Sequence, residues 1–203
     1  MDTNEEIGLT QMRKSVENLG SSTDGYGEQT LMRFLIARSM DPQKAAKMFS
    51  QWQKWRAEMV PIGYISDSEV ADELEAKKIY LQGLSKNGHP VMIVKVNKHF
   101  SSKDQVQFKK FVVHLLDKTI ASSFRGREVG NEKLIGILDL QNITYSNVDA
   151  RGLITGFQFL QIRIVRSEEE REEFIREVGE DVLPEEYGGR AKIILLQDVA
   201  VNY

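Results

Sequence analysis

Three histidines, His89, His99 and His114, are the side chains best suited to move a proton near neutral pH. Their surroundings do not build a catalytic set. His89 lies in the turn Lys86-Asn87-Gly88-His89-Pro90, and His114 lies inside a helical pattern. No Gly-x-Ser-x-Gly elbow offers an activated serine. No two histidines stand at metal-ligand spacing, and the chain has no cysteine. A Walker loop and a Gly-x-Gly-x-x-Gly turn are both missing, and the glycines of Gly126 to Gly130 follow a helix rather than a strand. The three histidines therefore read as structural or solvated, with no catalytic residue, metal or cofactor expected. Two other groups invite attention. Asp139 ends an apolar run, where a carboxylate needs hydrogen bonds, so it either caps the following loop or lines a site. Lys95 closes another apolar run and either approaches an anionic group or is solvated or salt-bridged.

The elements that would position these groups can be read from periodicity. Ile7, Leu9, Met12, Val16 and Leu19 could form one short amphipathic helix in an otherwise polar, frayed segment, 1–27. Leu31, Phe34, Leu35 and Arg38 mark a helix. Asp41-Pro42 then restarts one, with Asp as N-cap and Pro at the first position. Met48, Phe49, Trp52, Trp55 and Met59 continue along one face, read as core or packing residues, until Pro61 and Gly63 stop it. This helical block covers 28–62. Ile79 to Leu84 and Val91 to Val96 flank an Asn-Gly turn and predict an antiparallel hairpin. A long helix follows over 103–123. Lys133 to Leu140 is a nearly continuous apolar run, which predicts a strand buried on both faces. Asn147 to Leu160 reads as a helix and Ile162 to Val165 as a strand. Ser167-x-x-Glu170 is a capping box that opens an acidic helix, and Lys192 to Leu196 ends the pattern as a short strand or irregular edge. The order predicts an α+β or α/β fold, with α/β the expectation: a helical N-terminal block, then a mixed β-sheet flanked by helices over 63–203.

Composition limits the partners. The chain has 203 residues, 41% hydrophobic and 28% charged, which suits one domain with an appendage. Lys+Arg 27 against Asp+Glu 30 gives −3, so no basic field points to nucleic acid. The acidic start is neither a secretory signal nor a transit peptide, and no apolar run is long enough to span a bilayer. A cytoplasmic setting fits these features, and any membrane contact is expected to be peripheral.

Four segments in order resemble the CRAL-TRIO family of lipid-transfer proteins. Leu31 to Arg38, followed by Asp41 and Ala45-Ala46, is similar to the helical segment before that family's lipid-binding domain. Gly83-x-x-Lys86-Asn87-Gly88-His89-Pro90-Val91 resembles its hairpin, with His89 where the family usually has Arg. Ile137-Leu138-Asp139-Leu140 resembles its buried strand ending in Asp, and Leu183-Pro184-Glu185-Glu186-Tyr187-Gly188-Gly189 its closing motif. The resemblance implies an apolar pocket for a single phospholipid or similar lipid, floored by a sheet and covered by a mobile helix. The function it implies is phospholipid transfer, such as phosphatidylinositol transfer, by transient membrane contact and without covalent chemistry. Ile93, Lys95, Ile137, Asp139 and Phe157 are the expected lipid-binding residues. Strand period places Ile93 with Lys95, and Ile137 with Asp139, but leaves open which face of the sheet looks into the pocket.

One departure stands out. After Phe157-Gln158-Phe159-Leu160-Gln161 the chain passes directly to Ile162-Arg163-Ile164-Val165. The family has a further strand and lid helix there, on the order of 40 residues. The domain is thus expected to be internally shortened near 160–162, and Gln161 stands at the position of a headgroup-binding Lys. The alternative this raises is a truncated isoform that acts as a regulatory fragment through a protein partner.

Overall fold

The structure is a computed structural model, and it describes residues 3–100, 104–123, 129, 130, 132–147 and 165–201. It is an α/β fold that divides into two compact units. The first is residues 1–64 with 126–132, and the second is 65–125 with 133–203.

The first unit is helical. It contains α1 (Thr3–Asn18), α2 (Glu28–Ala37) and α3 (Pro42–Met59). Leu9, Met12 and Val16 recur at helical spacing and are buried against Leu31, Met32 and Leu35 of α2 and Ala45, Ala46 and Phe49 of α3. The expectation of a frayed start is corrected here: α1 contributes a full face to the core, while Ile7 and Leu19 stay exposed. Phe49 is the centre of an aromatic cluster. Tyr26 and Phe34 meet it edge-on at 5.1 Å and 5.2 Å, and Trp52 lies at 5.9 Å. Such edge-to-face pairs add to burial through the ring quadrupole. Trp52 thus packs as expected, whereas Trp55 is exposed. Asp41 caps α3 by accepting from the backbone N–H of Gln43 (3.1 Å) and Lys44 (3.0 Å).

The second unit holds α4 (Ala71–Glu75), β1 (Ile79–Leu84), β2 (Pro90–Lys95), α5 (Gln105–Ser123), β3 (Ile135–Asp139) and α6 (Glu168–Val178). The described strands form one mixed sheet in the order β1-β2-β3. β1 and β2 are the expected antiparallel hairpin, with Gly88 at φ +74° in its turn. β2 and β3 run parallel, and Ile93 lies beside Ile137 and Lys95 beside Asp139. Segment 192–196 lies along β1: Leu81 N–H donates to the Ile194 carbonyl at 3.1 Å, and Leu195 bridges Tyr80. The Ser167–Glu170 capping box forms as predicted and opens α6. The expected helix over Asn147 to Leu160 and strand over Ile162 to Val165 lie almost entirely outside the described residues, as does the expected shortening near 160–162.

β3 departs from expectation. Its apolar run predicts burial on both faces, yet burial alternates along it. Ile135 and Ile137 pack inward, while Leu138 and the following Leu140 are exposed. Among the described residues, the cover comes from α6 and the loop after it, on the face of Ile135 and Ile137.

Candidate lipid site

Two faces of one sheet define the site. On the first, Val91, Ile135 and Ile137 pack with Phe174, Ile175 and Val178 of α6 and with Val182, Leu183 and Tyr187 of the following loop. Ile93 shares this face and is fully buried. At its polar end the two register partners each hold one residue of that loop. Lys95 Nζ donates to Glu186 Oε2 at 2.7 Å, and Tyr187 Oη donates to Asp139 Oδ2 at 2.7 Å. Asp139 Oδ1 also accepts from Gln141 N–H at 3.0 Å, so this carboxylate caps its loop and clasps another. The Tyr80 ring lies between Lys95 Nζ at 5.6 Å and Lys98 Nζ at 5.5 Å, and its hydroxyl accepts from Lys98 at 2.9 Å.

Electrostatics follow from these contacts. Burial opposes the charge on Lys95, but the hydrogen bond to Glu186 and the fields of Glu186, Tyr80 and Asp139 outweigh it and hold the ammonium above its ordinary value. Burial, then the hydrogen bond to Asp139 and its charge, push Tyr187 far above the usual phenol range, so it stays a donor.

The loop sequence fits this closure. Gly188 has φ +89°, and a Cβ there would come within 2.7 Å of Ile175 Cδ1. A Cβ on Gly189 would lie 1.9 Å from the Leu183 carbonyl oxygen. Gly188 is required by its positive φ and Gly189 by its close approach to backbone, so Pro184 to Gly189 can fold tightly enough to put Glu186 and Tyr187 over the sheet.

The second face is different. Ile79 and Leu81 of β1 are buried, Met92 and Val94 of β2 are half-buried, and Leu138 of β3 is exposed. Gly136 lies beside Met92, and a Cβ added to it meets nothing within 4 Å. Apolar exposure thus grows from β1 to β3. In the same unit α5 leaves Val112, Leu116 and Ile120 exposed at i, i+4, i+8 spacing.

These placements bear on the expected lipid-binding residues. Ile93, Lys95, Ile137 and Asp139 lie side by side, all on the face that the chain itself closes. Phe157 lies outside the described residues. Met92, Val94, Gly136 and Leu138 alternate with the first four on the opposite face, and strand period alone leaves open which of the two faces looks into a pocket. His114 is buried, with Nδ1 2.9 Å from the Ile65 carbonyl oxygen. His99 Nδ1 lies 3.2 Å from the buried Lys78 Nζ, and His89 sits in the hairpin turn. Among the described residues no group of His, Asp or Glu could hold a metal ion, and no helix is long and apolar enough to cross a membrane.

Comparison with known proteins finds one family similarity and several related proteins. Residues 74–162, which contain the hairpin, α5 and β3, match the CRAL/TRIO domain. The chain is similar to the SEC14 cytosolic factor of Yarrowia lipolytica, with 31% identity over 62% of this chain and 29% of that protein. The phosphatidylinositol/phosphatidylcholine transfer protein SFH9 of Arabidopsis thaliana is 28% identical over 71% of this chain and 27% of its own length. Patellin-5 of the same plant is 30% identical over 57% of this chain and 18% of its own. The chain therefore spans less than a third of the length of each of these relatives. The CRAL/TRIO match places the sheet described above within the matched residues.

Proposed function

We propose that this chain binds one phospholipid or similar lipid and moves or presents it at a membrane surface, without covalent chemistry. One observation carries the reading: on the second sheet face Leu138 stands exposed next to an open Gly136, beside half-buried Met92 and Val94. Open apolar ground of this kind is what an acyl chain covers, and burying it is favourable at ~25 cal/mol per Å². The CRAL/TRIO match and relatives whose names state phosphatidylinositol/phosphatidylcholine transfer support the same reading. In it, residues 63–203 form the lipid-binding domain behind the helical block 28–62, and Met92, Val94, Gly136 and Leu138 floor the site. Ile93, Lys95, Ile137 and Asp139 serve it from the opposite face, where the Lys95–Glu186 and Asp139–Tyr187 contacts stiffen the floor. Action in the cytoplasm with transient membrane contact follows from the same resemblance to a cytosolic factor.

Native mass spectrometry of the purified chain, followed by lipid extraction, tests the proposal. The expected result is one lipid per chain. A folded chain that carries no lipid, and takes none up from phosphatidylcholine vesicles containing phosphatidylinositol, overturns it. A stable complex with a protein in that lipid-free state identifies the regulatory alternative.

A further inference from the structure

The turn between α2 and α3 is built in an unusual way. Ser39 and Met40 both take left-handed backbone angles, φ +52° and +62°, without being glycine. Such residues are strained and persist only where surrounding structure holds them. Here Met40 N–H donates to the Leu35 carbonyl at 2.8 Å and Asp41 N–H to the Arg38 carbonyl at 3.0 Å. The turn sets Arg38, at the end of α2, against the start of α3. There Lys44, Lys47, Met48 and Gln51 share one face at i, i+3, i+4 and i+7. These five residues line an open surface depression of about 260 Å³.

The charges in it are of one sign. Three of the five lining residues are cations and none is acidic. Lys44 is shared with Asp41, whose Oδ2 lies 3.0 Å from Lys44 Nζ. Asp41 Oδ1 is already committed to the backbone of α3, so this carboxylate neutralises one cation at most. Arg38 and Lys47 have no carboxylate partner among the described residues. In a chain with net charge −3, a concave site with two uncompensated cations is a local reversal of sign. Guanidinium is a planar fork matched to two phosphate oxygens, ammonium is a point charge, and Gln51 supplies a neutral amide donor at the rim. We propose that this elbow of the first unit binds a phosphate monoester dianion, with Arg38 as the bidentate contact and Lys47 and Lys44 beside it. The site is made entirely by α2 and α3 and uses none of the sheet residues assigned to the acyl chains.

The phosphate can come from a lipid headgroup or from a free soluble phosphate, and one titration series separates them. The probes are inorganic phosphate, inositol 1,4,5-trisphosphate, and phosphatidylcholine vesicles with and without a phosphatidylinositol monophosphate. The full chain, labelled with 15N, is titrated at constant ionic strength. Saturable shifts centred on the amides of Arg38, Lys44, Lys47 and Gln51 are expected with the soluble probes if the ligand is free. With a headgroup ligand, vesicle binding depends on the monophosphate lipid. In either arm Arg38→Gln with Lys47→Gln weakens binding about tenfold or more, while circular dichroism and lipid load stay unchanged. Lys54→Gln, on the same helix but outside the depression, leaves binding intact. Non-saturable shifts with every probe, or equal binding by the double variant, overturn the proposal.

Discussion

Tyr187 donates its hydroxyl hydrogen to Asp139 at 2.7 Å, joining a loop after α6 to the end of β3. Because Asp139 also caps its own loop through Gln141, one carboxylate fixes two turns at once. Tyr187→Phe removes the donor and leaves Asp139 Oδ2 short of a partner in a half-buried place. The expected loss is about 1–2 kcal/mol of unfolding free energy, read from urea melts by the shift in midpoint at unchanged slope. Asp139→Asn keeps an acceptor for Tyr187 and is expected to cost less than Tyr187→Phe with Asp139→Leu combined.

Gly189→Ala tests the tight turn beneath that clasp. A Cβ would sit 1.9 Å from the Leu183 carbonyl oxygen, and backbone rather than a flexible side chain must move to admit it. Leu183 is fully buried, so the movement is transmitted to the core of the first sheet face. A loss of about 2 kcal/mol or more is expected, in the range of overpacked cores. Gly136→Ala, where a Cβ meets nothing within 4 Å, is the matched control and is expected to change stability little. Equal losses in the two variants contradict the packing described for the turn.

Gly136→Leu extends that control into a test of the lipid site. The added side chain enters the open face beside Met92 and Leu138 without forcing the backbone, since Gly136 has no positive φ. Lipid per chain by native mass spectrometry is expected to fall by at least half, with the melting curve little changed. Unchanged lipid load places the acyl chain elsewhere.

Much of this fold was legible in the sequence because each signal was local. Asp41-Pro42 and Ser167-x-x-Glu170 announced two helix starts, and Asn87-Gly88 between β-prone runs announced the hairpin. Segments in order from Leu31 to Gly189 also pointed to the family. Three features were not legible. Strand period groups Ile93 with Lys95, but only packing against α6 decides that their face is the closed one. The apolar run of β3 contains no mark that separates Ile137, covered by Ile175 and Val178, from Leu138, which is exposed; cover comes from residues distant in sequence. α1 was read as the start of a frayed segment because its polar face and the following Gly20 to Gly25 resemble a loose tail. The burial of Met12 and Val16 depends on Phe49 and Leu35.

Glu73 and Lys78 form an ion pair in which both side chains are nearly excluded from water, with Lys78 also facing the rings of Phe108 and Phe111 at 5.7 Å and 5.3 Å. Removing one partner strands a charge. Glu73→Leu is expected to destabilise by about 3–5 kcal/mol. The double variant Glu73→Leu with Lys78→Met replaces the pair by apolar volume and is expected to recover most of that loss. A double-mutant cycle in guanidinium checks the coupling. Additive losses would show that the two charges do not depend on one another.

Acid should weaken both units through identifiable carboxylates. The Lys110 hydrogen bond, with Ser66 N–H, holds Glu69 below its ordinary 4.5 in the second unit. In the first unit burial opposes the charge on Glu132, but the Arg33 contact at 2.8 Å and Gly130 N–H outweigh it and lower its value too. Asp41 is lowered from 3.8, chiefly by the backbone N–H of Lys44. A folded value below the unfolded one means the folded state binds protons less readily. The stabilisation is therefore complete above the unfolded value and is lost as pH falls through the folded one. Urea midpoints should be flat in this respect above about pH 5 and fall as pH drops below 4.5. Glu69→Gln and Glu132→Gln should each lower the midpoint at pH 7 and flatten the acid slope, which a purely global charge effect would not do. The opposite sign applies to Lys95. Its raised value gives stability that is whole below the ordinary 10.5 and is lost as pH rises through the folded value, so Glu186→Gln should bring alkaline unfolding to lower pH.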